Sequence, residues 1–303
     1  VNPEDIFITS GATQAFYLLV DILYKNERPF CLENPSHPAI RTVINDRNYP
    51  LCFMPADRQG ADDSWIKERD LSAVYLTPSH QFPLGGILPA LRRASFIRLA
   101  AEKDYYIIED DYDSEYRYCG SPVTPLYSLD PSRVIYVGTF SKTLFPALRI
   151  GFAVLPKELQ KKWRHYRNYL DVQNPILEQA ALAEFLRSRK MDNHIRHMRK
   201  VYAKKRETLL QSAKEAFGSQ IRAWGDESGL HVALEFPEMK FGKDFVSDCR
   251  NNGIQIQTVS QYCSDESCHA DKLLLGYGHL NEKEIHEGIA ALKSLIVSFA
   301  PSL

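Results

Sequence analysis

The first 155 residues alternate short apolar strand-like runs with helical stretches, and few folds accept that order. The runs are Ile6 to Thr9, Phe30 to Leu32, Val74 to Leu76, Tyr105 to Ile108, Val134 to Val137 and Gly151 to Val154. Helical stretches such as Ala15 to Tyr24 and Arg93 to Lys103 separate several of them. Uniformly apolar strands linked through helices predict a mostly parallel sheet covered on both faces. After Pro156 the pattern changes. Helices are expected over 157–170, 175–188 and 191–217, and then near 242–252 and from Glu282 to Phe299. Strands are expected from Leu230 to Phe236 and from Leu273 to Tyr277. This reads as an α/β chain with a large domain over 1–165, connecting helices over 166–190 and a smaller α+β domain over 191–303.

Charge narrows the function classes. There are 37 Lys and Arg against 38 Asp and Glu, so the surface as a whole is not built to grip a polyanion. A local basic stretch does occur. Nine Lys or Arg stand between Arg187 and Arg206 against one acid, Asp192. A solvated helix face is the favoured reading, and contact with DNA phosphates is the alternative. No apolar run is long enough to span a bilayer, so no membrane partner is expected. The six cysteines are irregularly spaced and read as free thiols of a cytoplasmic protein. Cys263, Cys268 and His269 make at most half a metal site, so no metal is expected. The chain opens on Val1 and runs almost at once into Ile6-Phe7-Ile8, from which a preceding segment is expected.

Three segments at strand ends carry chemistry. Lys142 follows the run Val134 to Val137 within Gly138-Thr139-Phe140-Ser141-Lys142. A lysine desolvated at a buried strand end favours its neutral amine, which condenses with an aldehyde to a Schiff base. Thr139, Ser141 and Arg149 around it suit a phosphate. Glu109-Asp110-Asp111-Tyr112-Asp113 ends another strand, where open α/β sheets bind ligands. A carboxylate there can pair with a protonated pyridine nitrogen, and a phenol beside it can bond the ring hydroxyl. A metal site or a solvated loop remains open for that segment alone. Ser10-Gly11-Ala12-Thr13 opens a helix, whose free amides and dipole suit an anion. Phosphate cradle, pyridine-pairing acid and Schiff-base lysine together make the inventory that pyridoxal 5′-phosphate requires.

Thr9-Ser10-Gly11-Ala12-Thr13-Gln14, Ile108-Glu109-Asp110-Asp111-Tyr112 and Ser141-Lys142-x6-Arg149 resemble the pyridoxal-phosphate-dependent aminotransferases of fold type I. Thr77-Pro78-Ser79-His80-Gln81-Phe82-Pro83-x-Gly85 and Glu109 to Glu115 resemble, more closely, the MocR/GabR transcription regulators. The likeness extends over essentially the whole chain. It implies a large domain with a seven-stranded type of sheet, a homodimer, and an amino-terminal winged helix-turn-helix that binds DNA and is missing here. It implies Lys142 as the Schiff-base lysine, Asp110 at the pyridine nitrogen and Tyr112 at the ring hydroxyl. Ala12, Thr13, Thr139, Ser141 and Arg149 would hold the phosphate, and His37 would stack on the ring where the family normally places Tyr.

Two departures bear on activity. Phe82 stands where aminotransferases carry an Asn that contacts the ring hydroxyl. Leu274 stands where they carry the Arg that clamps the substrate carboxylate. His279 is the counterpart of a later Arg in the GABA-sensing relatives, with a plain surface histidine as the alternative. His37, Arg41 and His279 are the candidates for contacting a small amino-acid or amine effector. The resulting expectation is a sensor that binds an amino compound by transaldimination and turns it over poorly or not at all. A working aminotransferase is the alternative, and a regulator sensing pyridoxal phosphate itself is a third reading.

Overall fold

The computed structural model describes residues 1–299 apart from Pro122 and Val172. Eight strands make one sheet: β1 (Ile6–Thr9), β2 (Phe30–Asn34), β3 (Leu51–Asp57), β4 (Gly60–Ala61), β5 (Ala73–Leu76), β6 (Tyr106–Asp111), β7 (Val134–Thr139) and β8 (Gly151–Val154). Their order is β1-β8-β7-β6-β5-β2-β3-β4. The pairs from β3 to β7 through β2, β5 and β6 are parallel. The strand β8 runs antiparallel to both neighbours. Seven of these strands make the expected mostly parallel sheet, and the two-residue β4 turns back on β3 at its edge as an eighth. Helices α1 (Ala12–Leu23), α2 (Pro38–Asp46), α3 (Ala90–Glu102), α4 (Leu126–Leu129) and α5 (Lys157–Leu170) alternate with these strands. Apolar side chains cluster on both faces, one group around Leu19, Leu32 and Trp163 and the other around Val74, Phe96 and Ile107. A strand buried on both faces cannot alternate polar with apolar, which is why these runs read as uniformly apolar.

A second core lies beyond α6 (Ile176–Arg187). Strands β9 (Arg222–Trp224), β10 (His231–Glu235), β11 (Gln257–Thr258) and β12 (Lys272–Gly276) form an antiparallel sheet in the order β11-β12-β10-β9. Helices α7 (Lys190–Phe217), α8 (Lys243–Asn251) and α9 (Glu282–Phe299) complete this unit. Leu209, Ala213 and Phe217 of α7 pack with Leu273, Ile285 and Leu292 in its core. The observed architecture is thus a large α/β domain and a smaller α+β domain.

The two domains meet backbone to backbone. A Cβ placed on Gly85 would stand 2.1 Å from the Cα of Gly225, and one on Gly225 would stand 2.5 Å from the Cα of Gly85. Nearby, Gly229 accepts hydrogen bonds at its carbonyl from the hydroxyls of Tyr118 and Tyr277, each at 2.7 Å, and its N–H donates to the carbonyl of Tyr116. One member of the basic stretch of α7 reaches across the junction, and three bond within the small domain. Arg199 donates twice to the carbonyl of Glu115, and Lys205 donates to that of Gly278. Arg206 bonds the carbonyl of Asp226, and Lys204 pairs with Glu282. Arg199 and Lys204 are exposed while making these contacts, which fits the solvated-face reading, and Lys205 and Arg206 are half-buried.

Candidate active site

The carboxyl ends of β2, β5, β6 and β7 open on one cleft of about 480 Å³, closed on its far side by β10 and β12. All nine residues expected to hold the cofactor line it: Ala12, Thr13, His37, Asp110, Tyr112, Thr139, Ser141, Lys142 and Arg149. Arg41 and His279 do not. Arg41 donates to the carbonyl of Cys263 at 3.0 Å, and His279 is exposed on the turn after β12. Cys263 and Cys268 are free thiols, with Cys263 Sγ directed at the carbonyls of Val259 and Cys268.

At one end of the cleft the helix α1 begins at Gly11 with no side-chain cap, so its first amides stay open. Gly11 adopts φ +81°, and a Cβ there would stand 2.8 Å from the guanidinium of Arg149. Arg149 itself sits in the left-handed region at φ +50° and donates to the carbonyl of Ser10 at 2.8 Å. Thr139 Oγ1 donates to Ser141 Oγ at 3.0 Å and accepts from the Ser141 amide at 3.2 Å. Two hydroxyls, open amides and a guanidinium thus converge there. Lys142 follows on the same turn and is exposed, contrary to the expectation of a lysine desolvated by its own strand end.

The floor is acidic and buried. Asp110 Oδ2 accepts the Tyr75 hydroxyl at 2.6 Å, while Asp110 Oδ1 is buried without a partner. Burial pushes the Asp110 carboxyl up to about 7, against the Tyr75 bond and with the neighbouring charges of Asp111 and Asp113. Glu33 rises to about 8 for the same reason, opposed by the amide and hydroxyl of Thr77. Glu109 rises to about 7 by burial and receives the amides of Leu126 and Tyr127 at 2.9 Å each. Burial also raises the Tyr112 phenol, which donates to the carbonyl of His80 at 2.8 Å.

Several cleft residues went unassigned in the sequence. His80 Nδ1 lies 3.0 Å from Asp113 Oδ2, so Asp113 holds the ring behind Tyr112. The glycine at 229 makes room for it, since a Cβ there would stand 2.0 Å from the His80 ring. His231 arrives on β10, its ring 4.8 Å from that of His80. Burial, His80 and Lys142 hold its imidazole well below its ordinary range. His37 is lowered by burial and by Lys142. His80 and Asp113 lie inside fragments that carry the family resemblance. His231 had no such signal, because a histidine in an alternating strand reads as an ordinary strand residue.

The fold and this cleft define an aminotransferase-type domain. The chain belongs to the aminotransferase class I and II family, whose profile matches residues 1–291. It is 36% identical over 97% of its length to the uncharacterized HTH-type transcriptional regulator YdeL of Bacillus subtilis, of which it covers 63%. It is 29% identical to the probable rhizopine catabolism regulatory protein MocR of Rhizobium meliloti, over 99% of this chain and 61% of that one. The chain therefore spans a little over three fifths of the length of these regulators. Among solved structures it is similar to LysN, the α-aminoadipate aminotransferase of Thermus thermophilus, complexed with N-(5′-phosphopyridoxyl)-L-leucine. The TM-score is 0.89 and the identity 25%, over 98% of this chain and 79% of that one.

Family and fold imply pyridoxal 5′-phosphate, and the residues present fit it. Asp110 Oδ1 is a buried carboxylate oxygen lacking a donor, as a site for a protonated ring nitrogen requires. The packed Gly11–Arg149 corner, with the uncapped start of α1, has the chemistry of an anion cradle. Among the described residues no helix is long and apolar enough to cross a membrane.

Proposed function

We propose that this chain is the cofactor-binding, effector-sensing and dimerising part of a MocR-type transcription regulator. The observation that carries the reading is the convergence of nine expected residues on one cleft, in a chain similar over almost its whole length to HTH-type regulators. Ala12, Thr13, Thr139, Ser141 and Arg149 would hold the phosphate, Asp110 would serve the ring nitrogen, Tyr112 the ring hydroxyl and His37 the ring face. Lys142 would be the residue to hold the cofactor covalently. When bound, pyridoxal phosphate supplies an aldehyde that condenses with amines and a ring that draws electrons from the attached carbon.

The protein's own groups then do the rest. Asp110 Oδ1 stabilises a proton on the nitrogen it faces, while Tyr75 keeps Oδ2 engaged. Asp113 orients His80, and the His80 carbonyl orients the Tyr112 hydroxyl. Lys142 lies on an exposed turn, where its side chain would have room to move aside for an effector amine. An effector in the cleft touches Phe82 and Tyr112 on one domain and Leu230, His231 and Leu274 on the other. Occupancy thus biases the packing between domains, and with it a homodimer in the cytoplasm whose DNA-binding arms lie beyond this chain.

The test loads the chain with pyridoxal phosphate, adds primary amines and amino acids, and records the visible spectrum and keto-acid formation together. A spectral change without product fits a sensor. The likeness to LysN favours a second reading, an active aminotransferase, and steady turnover of about 1 per second or more would establish it instead.

A further inference from the structure

The effector end of the cleft differs in charge from its phosphate end. Two cationic side chains line the cleft among the described residues, Lys142 and Arg149. Arg149 is committed to the phosphate end, against Gly11 and bonded to the carbonyl of Ser10. Lys142 is the group an incoming amine displaces, and it shares its cleft with two carboxylates, Asp110 and Asp113. The guanidinium of Arg41 is bonded to the Cys263 carbonyl and does not reach the lining.

The opposite wall is apolar. Leu274 on β12 is 8% exposed and packs with Ala233 and Tyr262, and Phe82 joins the same cluster. Leu230 completes that side. Phe82 meets Tyr262 edge to face at a ring separation of 4.9 Å. The two imidazoles there, His37 and His231, are both held below their ordinary range, so neither supplies a positive charge near neutral pH. A carboxylate moved from water to such a wall loses its hydration and gains no cation, whereas an alkyl or aryl group gains contact.

We infer that the cleft selects a primary amine bearing an apolar or aromatic group and no carboxylate. The inference rests on the amine-exchange reading above and names its ligand class. The geometry also names where the preference can be reversed. Gln257 is exposed at the rim, on β11 beside Leu274, and its Oε1 accepts the Tyr262 hydroxyl at 2.6 Å. Gln257→Arg would place a guanidinium toward the ligand at the loss of that bond, and Gln257→Ala, which loses the bond and adds no cation, is its control.

The experiment uses the chain loaded with pyridoxal phosphate and matched pairs: phenethylamine with phenylalanine, and isobutylamine with valine. Apparent dissociation constants are read from the change in the visible spectrum. In each pair the amine should bind at least about tenfold more tightly than the amino acid. Gln257→Arg should close that gap by tightening the amino acid. Equal or tighter binding of the amino acids overturns the inference and leaves the amine-exchange reading standing. No gain by Gln257→Arg overturns the claim that a missing cation sets the preference. No spectral change with any member overturns the exchange reading and this inference with it.

Discussion

Tyr75 donates its hydroxyl to Asp110 Oδ2 across 2.6 Å, and the other carboxylate oxygen of Asp110 is left buried and unbonded. One oxygen is therefore anchored and one is presented to the cleft. Tyr75→Phe should loosen the anchored oxygen. We expect cofactor affinity to fall by roughly tenfold, the loss of about one hydrogen bond to a charged group, measured by titrating the apo chain and following absorbance.

Lys142 should be the single point of covalent attachment. Borohydride treatment of the loaded chain, followed by peptide mapping, should place the added mass on the peptide containing Lys142. Lys142→Ala should bind the cofactor reversibly, because the phosphate corner and Asp110 remain. Mass on any other lysine would refute the assignment.

Gly11 and Gly278 make a matched pair of substitutions. Gly11→Ala puts a methyl 2.8 Å from the Arg149 guanidinium at φ +81°, where Gly278→Ala meets its nearest neighbour at 3.9 Å. With ψ at 171°, Gly11 occupies a backbone region kept almost entirely by glycine, and a residue with a Cβ there costs about 1–3 kcal/mol. Gly11→Ala should weaken cofactor binding and lower the melting temperature of the loaded chain. Gly278→Ala should leave the binding curve where it is.

The raised carboxyls make a pH prediction. Glu33 moves from 4.5 to about 8 on folding, and Asp110 from 3.8 to about 7. Each stabilises the native chain while protonated, so that stability is complete below about 4 and is lost as pH rises through 7 to 8. The slope from one such carboxyl is about 1.4 kcal/mol per pH unit between its two values. His37 and His231 act in the opposite sense but mostly below 6.5. The cofactor-free chain should therefore unfold at lower denaturant concentration at pH 8.5 than at pH 6.5. Glu33→Gln should flatten that fall, and an unchanged profile would place the titration elsewhere.

Arg199 should behave as a structural residue. Both Arg199 and Lys200 are exposed, but the Arg199 guanidinium holds the Glu115 carbonyl at 2.9 and 2.7 Å. Arg199→Ala should cost about 1–2 kcal/mol in chemical denaturation, and Lys200→Ala close to nothing.

Much of this was legible in the chain because burial on two faces leaves a plain mark. The strand Gly151–Val154 has the bounds expected of it, and the helix Lys157–Leu170 likewise. The strand Leu51–Asp57 was not foreseen, since Pro55 argues against a strand interior; it survives there near the edge of the sheet. The helix Pro38–Asp46 was also missed, because its cap is a histidine, with His37 Nδ1 accepting from the Ala39 amide. Short local motifs singled out the residues that the structure gathers at the Gly11–Arg149 corner and at Asp110. The small-domain wall could not be foretold in that way. Leu230, His231 and Gln257 reach the cleft only through the crossing of two sheets, and no local spacing encodes that.

The Gly85–Gly225 contact has a mechanical consequence. Two main chains already touching cannot approach further, so relative motion there is limited to turning one over the other, against the bonds at Gly229 and Glu115. Such a point is a fulcrum. A wedge placed in the nearby cleft is converted there from translation into tilt, and tilt grows with distance. The helix α7 passes this point at Arg206, which bonds the carbonyl of Asp226, 16 residues after the helix start at Lys190. That arm is about 24 Å at 1.5 Å per residue, so ~5° at the fulcrum would move the helix start by roughly 2 Å.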